Sequence, residues 1–198
     1  TKEDLPIDDH KLVKNFFEKQ QIDHCINCAA YTAVDRAESD KQRAFIINAD
    51  AAGNLALICK AHQAEFIHIS TDYVFDGTSS VPYKEEDRIC PMNVYGASKL
   101  RGEELVLNNN AAAIIIRTSC VYSSVGNNFV KTMLRLLREK ESINVVNDQY
   151  GSPTYAADLA EAIMTIVDKE SNEQSTPGIF NYCNEGVITW FEFANEIK

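Results

Sequence analysis

One stretch of the chain, Phe66 to Lys99, constrains the fold more than any other part of the sequence. It begins with an apolar run, Phe66 to Ser70, that is typical of a buried strand, and it ends in a segment with the pattern of a helix. Thr71 comes directly after the strand, and Tyr95 lies near the start of the helix. Because ligands bind outside the carboxyl ends of the strands in an open α/β sheet, we expect a ligand site beside Thr71.

The same alternation of strands and helices runs through the rest of the chain. Strand patterns cover residues 24–28, 66–70, 111–117, 143–146 and 179–182. A helix pattern follows Asp8 and Asp9, and others cover residues 41–63, 93–109, 126–140, 155–168 and 189–197, with a polar loop at 170–178. This alternation predicts a doubly wound parallel sheet of the α/β class. The length of 198 residues suits a single domain, 1–198.

Three side chains near this predicted sheet edge could together form a site that donates a proton. Tyr95 and Lys99 are four residues apart, so a helix places both on one face, close to the Thr71 hydroxyl. The spacing Tyr-x-x-x-Lys is weak evidence on its own, because charged helical residues usually only face water. Its position after a strand that ends in a hydroxyl group favours a proton-donating site.

The composition argues against two classes of partner. The net charge is −10, whereas proteins that bind nucleic acid over their whole surface are usually basic. No apolar run approaches the roughly 20 residues needed to span a bilayer, and the first ten residues lack the apolar segment of a signal peptide. We therefore expect no nucleic acid partner, no membrane partner and a cytoplasmic location.

The six cysteines are expected to be reduced, because the sequence carries no secretion signal. Cys25 and Cys28 have the spacing of a redox or zinc motif, but a second pair is missing and they lie in a strand pattern. The four histidines show no metal-ligand spacing. We therefore predict buried structural thiols and no metal site.

Six ordered blocks between Asn27 and Trp190 carry a family resemblance. They are Asn27–Glu38, Ser70–Phe75, Asn93–Gly96, Arg117–Ser119, Gly126–Phe129 and Asn147–Thr154. In this order and at this spacing they resemble the dTDP-4-dehydrorhamnose reductases, which are extended short-chain dehydrogenase/reductases with a Rossmann-like fold. The resemblance covers nearly the whole chain and is far more specific than any single motif.

The resemblance implies an oxidoreductase that uses NADPH or NADH to reduce the C4 keto group of a nucleotide-sugar substrate, dTDP-4-dehydro-L-rhamnose. It assigns Tyr95 as the proton donor and Thr71 as a hydrogen-bond donor to the developing oxyanion. Lys99 would lower the pKa of Tyr95 and bind the nicotinamide ribose. It also implies that Asp72 contacts the sugar.

The block that begins at Asn27 matches the part of the family that lies along the cofactor. The cofactor contacts that the resemblance implies there are Ala30, Tyr31 and Thr32, in addition to Tyr95 and Lys99. Substrate-binding elements are expected toward the C-terminal end of the chain.

Two departures from the family pattern limit these expectations. The chain has only 8 glycines and no Gly-x-Gly-x-x-Gly turn, so it resembles a fragment that lacks the N-terminal part of the nucleotide fold. The strand at residues 24–28 would then be an exposed edge, which invites pairing with a second chain and allows a homodimer. The second departure is Cys120, which stands where the family commonly has a tryptophan beside the substrate.

Two alternatives stay open on the sequence alone. One is another epimerase or dehydratase of nucleotide sugars on the same scaffold. The other is a non-catalytic relative, such as the regulatory subunit of methionine adenosyltransferase, which would bind a dinucleotide and a partner protein. The presence of Thr71, Tyr95 and Lys99 together favours an enzyme.

Overall fold

The structure, a computed structural model, describes residues 4–170 and 176–198. The chain forms two compact units, of which the first comprises Thr1–Arg117 and Gln174–Asn181 and the second comprises Thr118–Glu173 and Tyr182–Lys198. Compactness does not decide whether the units fold independently, so the single domain stays a prediction. The predicted loop at 170–178 lies in part outside the described residues.

The helices and strands follow one another much as the sequence pattern predicts. In chain order they are α1 (His10–Lys19), β1 (His24–Asn27), α2 (Val34–Ser39), α3 (Lys41–Phe45), α4 (Ala52–Ala61), β2 (Glu65–Thr71), α5 (Val94–Asn109), β3 (Ile114–Thr118), β4 (Val121–Tyr122), α6 (Phe129–Glu139), β5 (Tyr150–Gly151), β6 (Thr154–Tyr155), α7 (Ala156–Glu170), β7 (Gly178–Asn181), β8 (Ile188–Thr189) and α8 (Trp190–Ile197).

The first unit is built on a four-stranded sheet with the order β1-β2-β3-β7. The pairs β1–β2 and β3–β7 are parallel, with Cys25 opposite Phe66 and Ile115 opposite Ile179. The predicted parallel α/β architecture is confirmed. In the part of the chain that the structure describes, β1 pairs only with β2 and forms one edge of the sheet.

Helix starts follow the capping side chains that the sequence offers. The Oδ1 atom of Asp9 accepts hydrogen bonds of 3.0 Å from the amides of Lys11 and Leu12, which satisfies two free donors of α1. The inner face of α1 buries Val13 and Phe17 in the core. At the other end of the chain, Thr189 forms a capping box with Glu192 on α8.

The long predicted helix at 41–63 is continuous but irregular. α3 and α4 are joined by a turn of π-helix at Ile46–Ala51, which buries Asn48 within the protein. The whole stretch Lys41–Ala61 is long and apolar enough to cross a membrane, but half of its most apolar window is buried inside the protein. We therefore interpret it as a core helix.

Glycines set the close packing of this helix against α5. A Cβ atom on Gly102 would collide with the carbonyl oxygen of Asn48, and one on Gly53 would lie 2.7 Å from the Cβ of Leu105. Gly53 therefore packs against another helix, α5. Glycine lowers the stability of a helix, but at Gly53 and Gly102 a larger residue would collide with the neighbouring helix.

The second unit contains two short strand pairs and an aromatic cluster. β4 and β6 are parallel, and β5 and β8 are antiparallel. The ring of Phe129 packs on Trp190 and Phe193, with centroids 4.6 and 5.4 Å away. The predicted strand at residues 143–146 is wrong: the segment is irregular, and Val146 is 49% exposed, so its apolar run is not buried in a sheet.

Candidate active site

Thr71 and Tyr95 meet at the carboxyl end of β2, within the first unit. The Thr71 side chain is buried, and its hydroxyl lies near enough to the Tyr95 phenol to lower the pKa of that phenol. The same hydroxyl donates to Oδ1 of Asp72 over 3.0 Å and accepts from the amide of Tyr73 over 3.2 Å. The structure therefore brings the predicted hydroxyl and phenol together.

Local sequence explains why the helix begins at the right place for this contact. Asn93 caps α5 by accepting the amide of Gly96 over 2.8 Å. A Cβ atom on Gly96 would collide with the carbonyl oxygen of Tyr73, so glycine allows the first turn of α5 to lie directly against the turn Asp72–Val74. This contact holds Tyr95 next to the end of β2.

The electrostatic environment of Tyr95 differs from the one expected. Burial raises the pKa of the phenol, the nearby Thr71 hydroxyl lowers it, and Asp72 and Tyr73 raise it, which together bring the pKa to about 12. The ring packs edge-on against Tyr73, with centroids 5.5 Å apart. The expectation that Lys99 lowers the pKa of Tyr95 is wrong for this structure, in which the phenol stays protonated at neutral pH.

Lys99 lies one turn after Tyr95, but its amine is turned into the protein. The side chain is 1% exposed, and Nζ donates to the carbonyl oxygen of Ile69 over 2.6 Å. Nζ also lies 3.2 Å from Nε2 of His68. Burial lowers the pKa of Lys99 to about 8, against smaller upward effects from Glu103 and Cys28.

The loop after β1 contains Ala30, Tyr31 and Thr32, and it is tied to α5 through Asn48. The Asn48 side chain accepts the amide of Tyr31 over 2.7 Å and donates to the carbonyl oxygen of Tyr31 over 3.1 Å. It also donates to the Ser98 hydroxyl over 2.9 Å. Within this loop, Ala30 is half-buried and Thr32 is exposed.

The Tyr31 side chain binds Asp40, which is not one of the predicted catalytic residues. Its hydroxyl donates to Oδ2 of Asp40 over 3.2 Å, and burial together with this bond raises the pKa of Tyr31. The structure thus connects Tyr31 to the site by its backbone. The predicted cofactor contacts of Ala30, Tyr31 and Thr32 stay predictions.

Asp72 carries a carboxyl group whose charge is easily lost. Burial raises its pKa to about 6, and hydrogen bonds from Thr71 and from the amide of Tyr73 oppose the rise. The side chain is half-buried beside the Thr71 hydroxyl. A carboxyl in this position can accept a hydrogen bond from a hydroxyl group, and its predicted role in sugar binding stays a prediction.

A buried ion pair lies behind β2, and sequence analysis missed it. Both oxygens of Glu103 accept from Arg117, with Nη2 to Oε2 at 2.7 Å, and Ser70 donates to Oε1. Arg117 also stacks over Phe75, with its guanidinium carbon 5.2 Å from the ring centroid, and it donates to the carbonyl oxygen of Glu85. The one available signal was that Glu103 follows Lys99 by one helical turn, which places it on the buried face of α5.

The cysteines and the possible metal-ligating side chains form the last group of candidate residues. Among residues 4–170 and 176–198, no group of three or more His, Cys, Asp and Glu residues is placed to hold a metal ion. The six cysteines are free thiols, and Cys28 is exposed, although it had been predicted to be buried. Cys120 adopts a left-handed backbone conformation with φ of 47°.

Comparison with known proteins places the whole chain in one family. Residues 1–198 match the family described as the RmlD substrate binding domain. The spore coat polysaccharide biosynthesis protein SpsK of Bacillus subtilis is 43% identical over 197 residues, which cover 100% of this chain and 68% of SpsK. A dTDP-4-dehydrorhamnose reductase of Sinorhizobium fredii is 47% identical over 177 residues, which cover 88% of this chain and 60% of that protein.

A solved structure agrees with these relatives. The crystal structure of dTDP-4-dehydrorhamnose reductase from Bacillus anthracis, in complex with NADP, superposes with a TM-score of 0.93 at 42% identity, and the match covers 99% of this chain and 68% of that one. The chain spans 60 to 68% of the length of these three proteins. The resemblance to dTDP-4-dehydrorhamnose reductases is confirmed, and the chain belongs to the RmlD substrate binding domain family.

Proposed function

We propose that the protein containing this chain reduces the C4 keto group of dTDP-4-dehydro-L-rhamnose with NADPH or NADH. The observation that carries the proposal is the proximity of the Thr71 hydroxyl to the Tyr95 phenol at the carboxyl end of β2, with Lys99 one helical turn further on. Relatives that bear the name of this reductase, and the solved one in complex with NADP, support the substrate class and the cofactor.

The residues around this edge fit a nicotinamide cofactor. The loop after β1 has small side chains at Ala29 and Ala30, which allow close approach of a flat ring, and the backbone of Tyr31 is held by Asn48. Lys99 offers an amine whose charge changes near neutral pH. When bound, the cofactor supplies the hydride.

The chain's own side chains supply the proton and the orientation. Tyr95 is protonated at neutral pH, which is the form that can donate to the oxygen of the reduced carbonyl. The Thr71 hydroxyl lies beside the phenol and would donate a hydrogen bond to the same oxygen. Asp72 would accept a hydrogen bond from a sugar hydroxyl.

Two further parts of the proposal concern association and location. For the chain Thr1–Lys198 by itself we propose a homodimer, since β1 is an edge strand among the described residues and such an edge can pair with a second copy. The free thiols are compatible with the reducing cytoplasm, which is the location we propose.

The test is turnover by the full-length protein. When incubated with dTDP-4-dehydro-L-rhamnose, the protein should oxidise NADPH or NADH. The oxidation is measured as the loss of absorbance of the reduced cofactor. Parallel reactions should contain other nucleotide sugars, for the alternative of an epimerase or dehydratase. Oxidation with none of these sugars, but with retained dinucleotide binding, would favour the non-catalytic alternative.

A further inference from the structure

We propose that Ser70 is a positioning residue for Thr71. Its hydroxyl ties the carboxyl end of β2 to Glu103 on α5, and this bond sets where the Thr71 hydroxyl lies beside the Tyr95 phenol. Ser70 is 4% exposed and is the last but one residue of β2. The consequence for catalysis rests on the proposed function, whereas the bond between Ser70 and Glu103 does not.

The hydrogen bonds of the Thr71 hydroxyl itself are local. It donates to Oδ1 of Asp72 over 3.0 Å and accepts from the amide of Tyr73 over 3.2 Å. Both partners follow Thr71 directly in the chain, so these bonds orient its side chain within its own segment. The distance from this segment to α5, which carries Tyr95, is set by other contacts.

Side chains of α5 hold the end of β2 at two neighbouring residues. Nζ of Lys99 donates to the carbonyl oxygen of Ile69 over 2.6 Å, and Oε1 of Glu103 accepts from the Ser70 hydroxyl. Of these two bonds, the one at Ser70 is nearer to Thr71 in the chain. Because a rigid peptide unit joins Ser70 to Thr71, a shift of Ser70 carries Thr71 with it.

Glu103 is a well-fixed acceptor for this bond. Its two oxygens accept from Arg117, with Nε to Oε1 at 3.0 Å and Nη2 to Oε2 at 2.7 Å, and both side chains are buried. The guanidinium also lies over Phe75, at 5.2 Å, and donates to the carbonyl oxygen of Glu85 over 3.3 Å. A carboxylate held on both oxygens keeps one orientation, so Ser70 is tied to a fixed point.

The substitution Ser70→Ala removes this bond and leaves the charges behind it in place. Glu103 stays paired with Arg117 in the variant. Burial lowers the pKa of Lys99, and the carboxylate of Glu103, which opposes this effect, keeps its charge. A loss of activity in Ser70→Ala therefore does not come from a change in the charges around Lys99.

The experiment compares kcat with cofactor binding in the full-length protein. Ser70→Ala should lower kcat for dTDP-4-dehydro-L-rhamnose by at least ~10-fold, since a misplacement of about 1 Å can cost ~10²-fold in rate. The Kd for NADPH should change little, because Ser70 is not among the proposed cofactor contacts. Ser70→Cys has a similar size and a weaker donor, so its loss should be smaller. The control Thr189→Ala removes a buried hydroxyl that caps α8 and should lower stability but not kcat.

A double-mutant cycle separates the positioning of Thr71 from a general loss of packing. Thr71→Val removes the hydroxyl that Ser70 positions, so adding Ser70→Ala to it should lower kcat further by less than about twofold. A general loss of packing would lower kcat by the same factor in both backgrounds. Equal factors would overturn the proposal, as would an unchanged kcat in folded Ser70→Ala.

Two other outcomes are also decisive. If Ser70→Ala does not fold, Ser70→Cys takes its place in the cycle. A protein that reduces no keto sugar would reject the proposed function, and crystal structures of the unaltered protein and of Ser70→Ala then decide the positioning role. We expect the distance between Oγ1 of Thr71 and Oη of Tyr95 to change by about 0.5 Å or more. An unchanged distance would overturn the inference.

Discussion

The Nζ atom of Lys99 lies 3.2 Å from Nε2 of His68, beneath the sheet edge where Tyr95 meets Thr71. The amine is buried and points away from solvent, with its second bond to the carbonyl oxygen of Ile69. Lys99 is therefore a part of the packed interior as well as of the candidate active site. The stability of the fold and the chemistry of the site are linked at this residue.

Replacing Lys99 with methionine should change how stability depends on pH. The folded pKa of about 8 lies below the ordinary value of 10.5, so between these values the unfolded chain binds more protons and stability rises with pH. The rise contributed by Lys99 is on the order of 2–3 kcal/mol, and Lys99→Met lacks it. Urea unfolding of both proteins from pH 7 to pH 10 measures the difference, and parallel curves would contradict the prediction.

Removing the charge of Glu103 should destabilise the protein strongly. Glu103→Gln leaves the buried guanidinium of Arg117 without its anion, which typically costs about 3–5 kcal/mol. The matched control is Glu104→Gln on the same helix, whose partner Arg101 is exposed and whose pair contributes about 0.2–1 kcal/mol. Chemical unfolding measures both variants, and equal losses would show that burial of the pair has no special effect.

Adding a methyl group at Gly102 should also destabilise the protein. The new Cβ would collide with the carbonyl oxygen of Asn48, and overpacking of this kind costs about 1–3 kcal/mol. That outweighs the gain in helix propensity of about 1 kcal/mol. Arg101→Ala, at the exposed position before it, is the control. Thermal unfolding of the Gly102→Ala and Arg101→Ala variants tests the prediction. A higher melting temperature for Gly102→Ala would show that the helices can move apart without loss of stability.

The chain as given, Thr1–Lys198, should bind NADPH and NADH weakly or not at all. Most of the anchoring of a dinucleotide comes from a Gly-rich turn at a helix start, and the sequence contains no such turn. The free edge of β1 should also promote self-association. Calorimetric titration and sedimentation measure the two properties, and a micromolar Kd would show that the remaining half-site holds the cofactor.

Local patterns predicted much of the fold because its signals are short in range. The apolar run of β2, the helix pattern that begins at Asn93 and the strand at Ile114–Thr118 each follow from neighbouring residues. The segment 143–146 has the same apolar character but no strand, because strand formation also needs a partner at the right distance.

The sequence predicted which residues belong to the site, but it did not predict the electrostatic environment of these residues. The spacing of Tyr95 and Lys99 indicated their common helix face, but the direction of the amine depends on Ile69 and His68, which belong to another element. Asn48 lies in an apolar helix pattern, and nothing in the spacing shows that it holds the backbone of Tyr31. Contacts between distant parts of the chain set these features.

The most direct test of the account is the effect of Tyr95→Phe on turnover of dTDP-4-dehydro-L-rhamnose by the full-length protein. The substitution removes the proposed proton donor and keeps the ring, so kcat should fall by at least ~10²-fold while the Kd for NADPH changes little. Tyr122→Phe removes a phenol from an aromatic cluster in the second unit and should leave kcat nearly unchanged. Near-full activity of Tyr95→Phe would contradict the assignment of Tyr95 as the proton donor.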